Sequence, residues 1–197
     1  MTQLPEVRVV TEDRVSALVN EVSLDDAETL YDDISDRVIE IGDLRYRSVG
    51  ESWSLVKPST TTRNNTITET DDPDLTTTLY AGNVYSFKAF LIYNATTVAD
   101  VDIGFTIPSG SSILWVPNCP PGGASGSVST QVNRTAKSNG NSAVNGGVGS
   151  DLVSLPEGII TMGGSDGTFA VKWAQSNIEA TDATLGAGSR LFIERIG

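Results

Sequence analysis

Hydrophobic and polar positions follow two different rhythms along this chain, and the change falls near Gly50. Before it, apolar residues keep helical spacing among dense charge. After it, they alternate with Thr, Ser, Gly and Asn. In the first part, "PEVRVV" reads as a short extended piece. Thr11 is placed to cap a helix with Glu12 and Asp13 in its first turn, where acidic groups suit the helix dipole. Val15, Leu18, Val19 and Val22 then share one helix face. The step from Val22 to Leu24 breaks register, so two helices or one kinked helix are expected, with Ser23 as a cap. Leu24, Ala27, Tyr31, Ile34, Val38 and Ile41 follow at spacings of 3, 4, 3, 4 and 3, a heptad stripe. Asp25, Asp26, Glu28, Asp32, Asp33 and Asp36 occupy positions between them. One such helix cannot bury its stripe alone. It needs copies of itself, the body of another protein, or its own C-terminal domain.

From "WSLVKP" onward the pattern predicts β structure throughout. Tyr85, Phe87, Ala89, Leu91 and Tyr93 are expected on one face of a strand, with Ser86, Lys88, Phe90, Ile92 and Asn94 on the other. Further strands are expected at 101–107, 112–116, 127–133, 152–155, 159–162, 168–174 and 189–196. Turn signals separate them at Pro108-Ser109-Gly110, Pro156-Glu157-Gly158, Ser165-Asp166-Gly167 and Gly186-Ala187-Gly188. The low-complexity stretch "AKSNGNSAVNGGVG", 136–149, reads as a long, mobile surface loop. The expected fold is mainly β: an antiparallel, jelly-roll-like β-sandwich over 51–197. A short helical, coiled-coil-like anchor precedes it over 1–50.

Charge and composition narrow the chemistry. The 197 residues carry a formal net charge of −12, which disfavours nucleic acid as a partner. No apolar run approaches the roughly 20 residues of a membrane span, so no membrane insertion is expected. The first residues lack a basic region followed by an apolar one, so synthesis in the cytoplasm is expected. The N-x-[ST] matches at Asn64, Asn94 and Asn133 then carry no weight as glycosylation sites. The chain has no histidine, which removes His-dependent nucleophile systems and the commonest transition-metal ligand. One cysteine, Cys119, allows no intrachain disulfide.

Few stretches invite a catalytic or ligand-binding reading. "DDPD" groups Asp71, Asp72 and Asp74 around Pro73. As an EF-type calcium loop it fails, because Thr76 and Gly82 stand where Gly and Glu are needed. As a glycosidase pair it is weakened because Asp71 and Asp72 point different ways on an extended chain. The favoured reading is a turn that feeds "LTTTL". "GGVGSD", 146–151, follows no apolar strand and opens no helix, so a phosphate-binding loop is not expected. Cys119 in "VPNCPPGG" reads as structural, and Trp173 as core. Trp53 and Trp115 are the candidates for stacking on a sugar.

The run from "VKPSTTT" through "DDPDLTTTLYAGNVYSFKAFLIYNA" to "FTIPSGSSILW" resembles a β domain of tailed-phage virion proteins, especially those of actinobacterial phages. The later "GTFAVKWAQ" and "AGSRLFIERI" are similar to its closing strands, so the likeness covers about 55–196. Upstream, "DDAETLY" and "GDLRYR" resemble elements of tail-fibre stalks, a shorter and less specific match. The resemblance implies a virion component of the minor-tail or fibre type, without enzymatic activity or cofactor. Together with the heptad stripe it leads to an expected homotrimer. Its partners would be itself, other tail or capsid proteins and a host cell-surface glycan. A capsid decoration protein and a carbohydrate-binding module are the alternatives.

Overall fold

The longest strand, β4 (Val84–Asn94), buries Tyr85, Phe87, Ala89, Leu91 and Tyr93 and turns Ser86, Lys88, Phe90, Ile92 and Asn94 away from the core. This is the alternation written in the sequence, and a half-buried strand follows from it. A computed structural model describes residues 50–123 and 131–197, which lie within one compact unit, Ser48–Gly197. The heptad residues Leu24, Ala27, Tyr31, Ile34, Val38 and Ile41 lie outside the described residues. So do the first positions of the strand expected at 127–133. At Asn133, which is described, the chain makes only an isolated bridge to Cys119.

β4 is the axis of the first sheet. On one side its first half pairs with β12 (Arg190–Arg195) and its second half with β11 (Ala183–Leu185). β1 (Ser52–Val56) pairs outside β12, and β2 (Thr61–Arg63) outside β11. On the other side β9 (Glu157–Thr161) and β8 (Leu152–Ser154) flank β4 in the same way, and β6 (Ser112–Val116) pairs with β9. The expected turn signals at Pro156 and Gly186–Gly188 therefore interrupt long strands instead of reversing them. The second sheet has the order β3 (Thr70–Leu79), β10 (Gly167–Gln175), β5 (Val101–Thr106), β7 (Ala143–Asn145). Every pairing is antiparallel, and the described residues contain no helix.

The inward faces of the two sheets share one core. Phe87 of the first sheet meets Phe105 and Phe169 of the second edge-on, with ring centroids 4.7 Å and 5.3 Å apart. Phe105 also meets Trp115 at 4.9 Å. Each such side chain contributes roughly 1.5–3 kcal/mol by leaving water, and the edge-to-face geometry adds to that.

Two expectations are corrected. The "ETDDPD" segment is not a turn before a strand. From Thr70 on it lies inside β3, where a β-bulge occurs: Ala170 pairs with Thr76, yet Lys172 pairs with Asp71. Pro73, which has no N–H to give a neighbouring strand, occupies the bulged stretch. Nor is 136–149 simply a surface loop. It contains β7, and Ala143, Asn145, Gly146 and Gly147 are buried. A Cβ on Gly147 would lie 2.3 Å from the Thr96 carbonyl oxygen and 2.5 Å from that of Ala95. Its glycine permits close backbone contact rather than mobility. Asp100, itself buried, pins this segment: its carboxylate accepts from the Gly147 and Gly123 N–H groups, each at 2.7 Å.

A chain reduced to residues 48–197 is expected to fold on its own, because the twelve strands of the described residues and their shared core lie within it. It should show a β-type circular dichroism spectrum and one cooperative melt. An unfolded or aggregated product would mean that residues before Ser48 complete the core.

Candidate functional site: a buried lysine between two aspartates

The inward positions of β1 are Trp53 and Leu55, and the next residue in that alternation is Lys57. Pro58 follows and favours an extended backbone at Lys57. Both backbone polar groups of Lys57 are held by the junction between β11 and β12. Its N–H donates to the Ser189 carbonyl, and its own carbonyl accepts from the Gly188 N–H, each at 2.8 Å. Gly188 has φ +84, a conformation that suits glycine. The side chain has no exposed surface.

A buried ammonium must be paired and hydrogen-bonded. The bulge of β3 supplies the partners. Lys57 Nζ lies 2.7 Å from Asp72 Oδ2 and 2.9 Å from Asp74 Oδ2. Asp72 is fully buried, whereas the Asp74 side chain is 28% exposed. The bulge also shapes itself around Asp72: the Asp74 N–H donates to Asp72 Oδ1 at 3.1 Å, and the Thr76 hydroxyl to the Asp72 carbonyl at 2.6 Å. The Thr61 hydroxyl reaches Asp72 Oδ2 at 3.3 Å. Lys57 therefore ties the end of an edge strand of the first sheet to an edge strand of the second.

Arg63 of β2 closes the neighbourhood. Its guanidinium sits 4.3 Å above the Trp173 ring and donates to the carbonyls of Trp173 and, at 3.0 Å, Thr70. Burial pushes its pKa down, while Asp72 and Asp71 act the other way. Asp71 is exposed and bonds the Thr106 hydroxyl at 2.5 Å. Adjacent Asp71 and Asp72 do point to opposite sides, as the extended backbone requires. Neither the burial of this lysine nor its pairing with the aspartates figured in the sequence expectations. The signal was present: Lys57 completes the period-2 series after Trp53 and Leu55.

The remaining candidates fall elsewhere. Trp115 is 2% exposed and packed edge-on against Phe105, so its ring faces belong to the core and offer no platform to a sugar. Trp53 is half-buried, with its ring edge-on to Tyr85 at 6.0 Å. Near it, on the outer face of the first sheet, lies an open groove of about 450 Å³. Ser52, Ser54, Ser86, Lys88, Phe192 and Glu194 contribute to its walls. Trp173 is fully buried, as expected of a core residue. Cys119 is buried 3.8 Å from the Val144 carbonyl, and burial pushes its thiol up to about 12. Among the described residues, no group of three Asp, Glu or Cys side chains could hold a metal ion. The described residues also hold no helix long and apolar enough to cross a membrane.

No family model and no curated protein matches the chain. Among solved structures, it is similar to a chain in the structure of infectious bursal disease virus Gx strain. That chain has 12% identity and a TM-score of 0.39, with 76% of this chain and 34% of that one covered. A chain of the T13 particle of the same virus gives 11%, 0.40, 75% and 32%. A chain of the BppUct-A-L tripod from the baseplate of bacteriophage Tuc2009 gives 12%, 0.29, 82% and 90%. The present chain spans about one third of the length of the two viral-particle chains. At TM-scores this low the likenesses carry no argument about what this chain does.

Two outcomes test the site. Lys57→Ala leaves Asp72 buried without its cation and is expected to cost about 3–5 kcal/mol, whereas Asp71→Asn on the exposed side should stay within about 0.5 kcal/mol. Denaturant melts of the two variants decide this, and equal small losses would contradict the account. The second concerns Cys119. With a thiol pKa near 12, almost no thiolate exists at pH 8, so alkylation of the folded protein should be far slower than of the unfolded chain. Matching rates in the two states would show that Cys119 is accessible.

Proposed function

We propose that this chain is a non-enzymatic structural component of a tailed-phage virion, a surface appendage of the minor-tail or fibre type. Its N-terminal segment would dock the protein on the particle and associate three chains, and its β domain would face solvent. The observation that carries this reading is where the resembling motifs fall. "VKP" and "DDPD" meet at the Lys57 cluster, and "AGS" holds the Lys57 backbone through Gly188 and Ser189. In "YNA", the Tyr93 hydroxyl donates to the Gly146 carbonyl at 2.9 Å, and the Ala95 carbonyl accepts from the Gly149 N–H. In "WAQ", Trp173 and Gln175 are fully buried, with Gln175 Nε2 donating to the Thr181 carbonyl. These placements support reading the resembling motifs as parts of a scaffold.

The strand order supports the same reading. Taking β1 and β2, β8 and β9, and β11 and β12 as interrupted single strands, the sheets run β1/2–β11/12–β4–β8/9–β6 and β3–β10–β5–β7. Successive strands pass from one sheet to the other as in a jelly roll, an architecture used by viral capsid and lectin domains. Fold alone does not set function, so the motifs carry the proposal and the topology is consistent with it. The heptad residues Leu24, Ala27, Tyr31, Ile34, Val38 and Ile41 supply the associating stripe of the proposal.

The protein is expected in purified particles at a few copies relative to the major capsid protein, and as a trimer by native mass spectrometry. A chain with Ile34→Asp and Val38→Asp should be a folded β-rich monomer, because charge enters the associating stripe. Many copies per particle would replace the tail role with capsid decoration. Absence from particles would overturn the proposal.

A further inference from the structure

We infer that the buried cluster is a self-modifying site, in which Lys57 Nζ and the Asp72 side-chain carboxyl join as an intramolecular isopeptide bond with Asp74 as the proton acceptor. This rests on the geometry of the cluster and not on the virion proposal.

Amide formation from an amine and a carboxyl group needs five things: contact, a neutral amine, a protonated leaving oxygen, a donor for the developing oxyanion, and exclusion of water. The cluster supplies contact, a proton acceptor, a donor to the oxyanion and burial of both reacting groups, and the proton for the leaving oxygen is the one that Asp74 takes from the ammonium. Lys57 Nζ is 2.7 Å from Asp72 Oδ2, and both side chains are fully buried. Contact is enforced because the Lys57 backbone is clamped by Ser189 and Gly188, while the bulge of β3 fixes Asp72. Holding two reacting groups in this way makes a bimolecular step effectively unimolecular. Asp74 Oδ2, 2.9 Å from Nζ, takes a proton from the ammonium and leaves a neutral nucleophile. The Asp74 N–H, 3.1 Å from Asp72 Oδ1, faces the oxygen that becomes the oxyanion. The Thr61 hydroxyl lies 3.3 Å from Oδ2, the oxygen that leaves.

The step balances without a further reactant. The ammonium gives one proton to Asp74, and the amine nitrogen bonds to Asp72 Cγ. The tetrahedral adduct loses a second nitrogen proton. Oδ2 departs as water, carrying two protons: one relayed by Asp74, the other from that nitrogen. An ammonium and a carboxylate become one neutral amide and one water, and Asp74 ends as it began. Two fully buried charges disappear, which removes the desolvation penalty that a buried ion pair carries. The product joins residues 15 apart in sequence and so closes a loop in the unfolded chain, as a disulfide would, but it is inert to reductants.

Mass spectrometry of the purified full chain tests this. The denatured protein should be lighter than its sequence mass by one water. Trypsin cuts after Arg47, Arg63 and Lys88 but not between Lys57 and Pro58, which places Lys57 and Asp72 on the separate peptides 48–63 and 64–88. The expected digest contains these two as one branched peptide, one water lighter than their sum. That branch distinguishes the cross-link from dehydration at Asp166-Gly167, which would leave the peptides separate. Recovery of both peptides, unlinked and at full mass, overturns the proposal. Lys57→Met should abolish the branch, and a branch that survives it overturns the assignment of the amine. Asp74→Asn keeps Lys57 beside Asp72 and should retain the wild-type circular dichroism spectrum while leaving most of the chain unlinked. Complete linkage in that variant overturns the role given to Asp74.

Discussion

A lysine with no exposed surface imposes a condition on everything around it. Lys57 must be paired with opposite charge and hydrogen-bonded, and the chain meets that condition by bringing together segments far apart in sequence. The bulge of β3 delivers Asp72 and Asp74. The glycine-containing junction of β11 and β12 holds the Lys57 backbone. One edge of the first sheet is thereby tied to one edge of the second. Removing Lys57 leaves Asp72 buried inside the sandwich without its cation, so the fold depends on the cluster more than its small area suggests.

The opposite edge of the second sheet solves a similar problem with backbone. Asp100 receives the N–H groups of Gly147 and Gly123, and Gly147 packs against the carbonyls of Thr96 and Ala95. Here too a buried carboxylate organises a segment that lacks large apolar side chains. Between the two edges lies the aromatic core of Phe87, Phe105, Phe169 and Trp115, which supplies the non-directional burial. The division is physical: apolar contact holds the sheets together, and buried charge fixes how their edges meet.

Much of this was legible in the sequence where a single rhythm decides the structure. The alternation over 85–94 gave β4 and its buried face, because a strand that is buried on one side needs nothing more than period 2. Asp71 and Asp72 were rightly placed on opposite sides of the extended chain. The bulge was not legible, since it depends on pairing with β10, a strand about a hundred residues away. Lys57 was passed over because a charged side chain reads as solvent-facing unless its partners are known, even at an inward position. The stretch 136–149 was misread for a related reason. Glycine and asparagine mark both open loops and tight backbone approach, and only the neighbours of Gly147 and the hydrogen bonds of Asn145 to Val101 and Ala143 distinguish the two. Trp115 went to the core because the facing sheet brings Phe105 against it.

The central claim is that the Lys57 cluster opens only when the whole sandwich opens. Native-state hydrogen exchange reads this at two amides, those of Lys57 and Gly188, which hydrogen-bond across the clamp. The account predicts that both exchange with the free energy of global unfolding, together with the central amides of β4. Exchange of Lys57 and Gly188 by local opening, well below the global value, would contradict it.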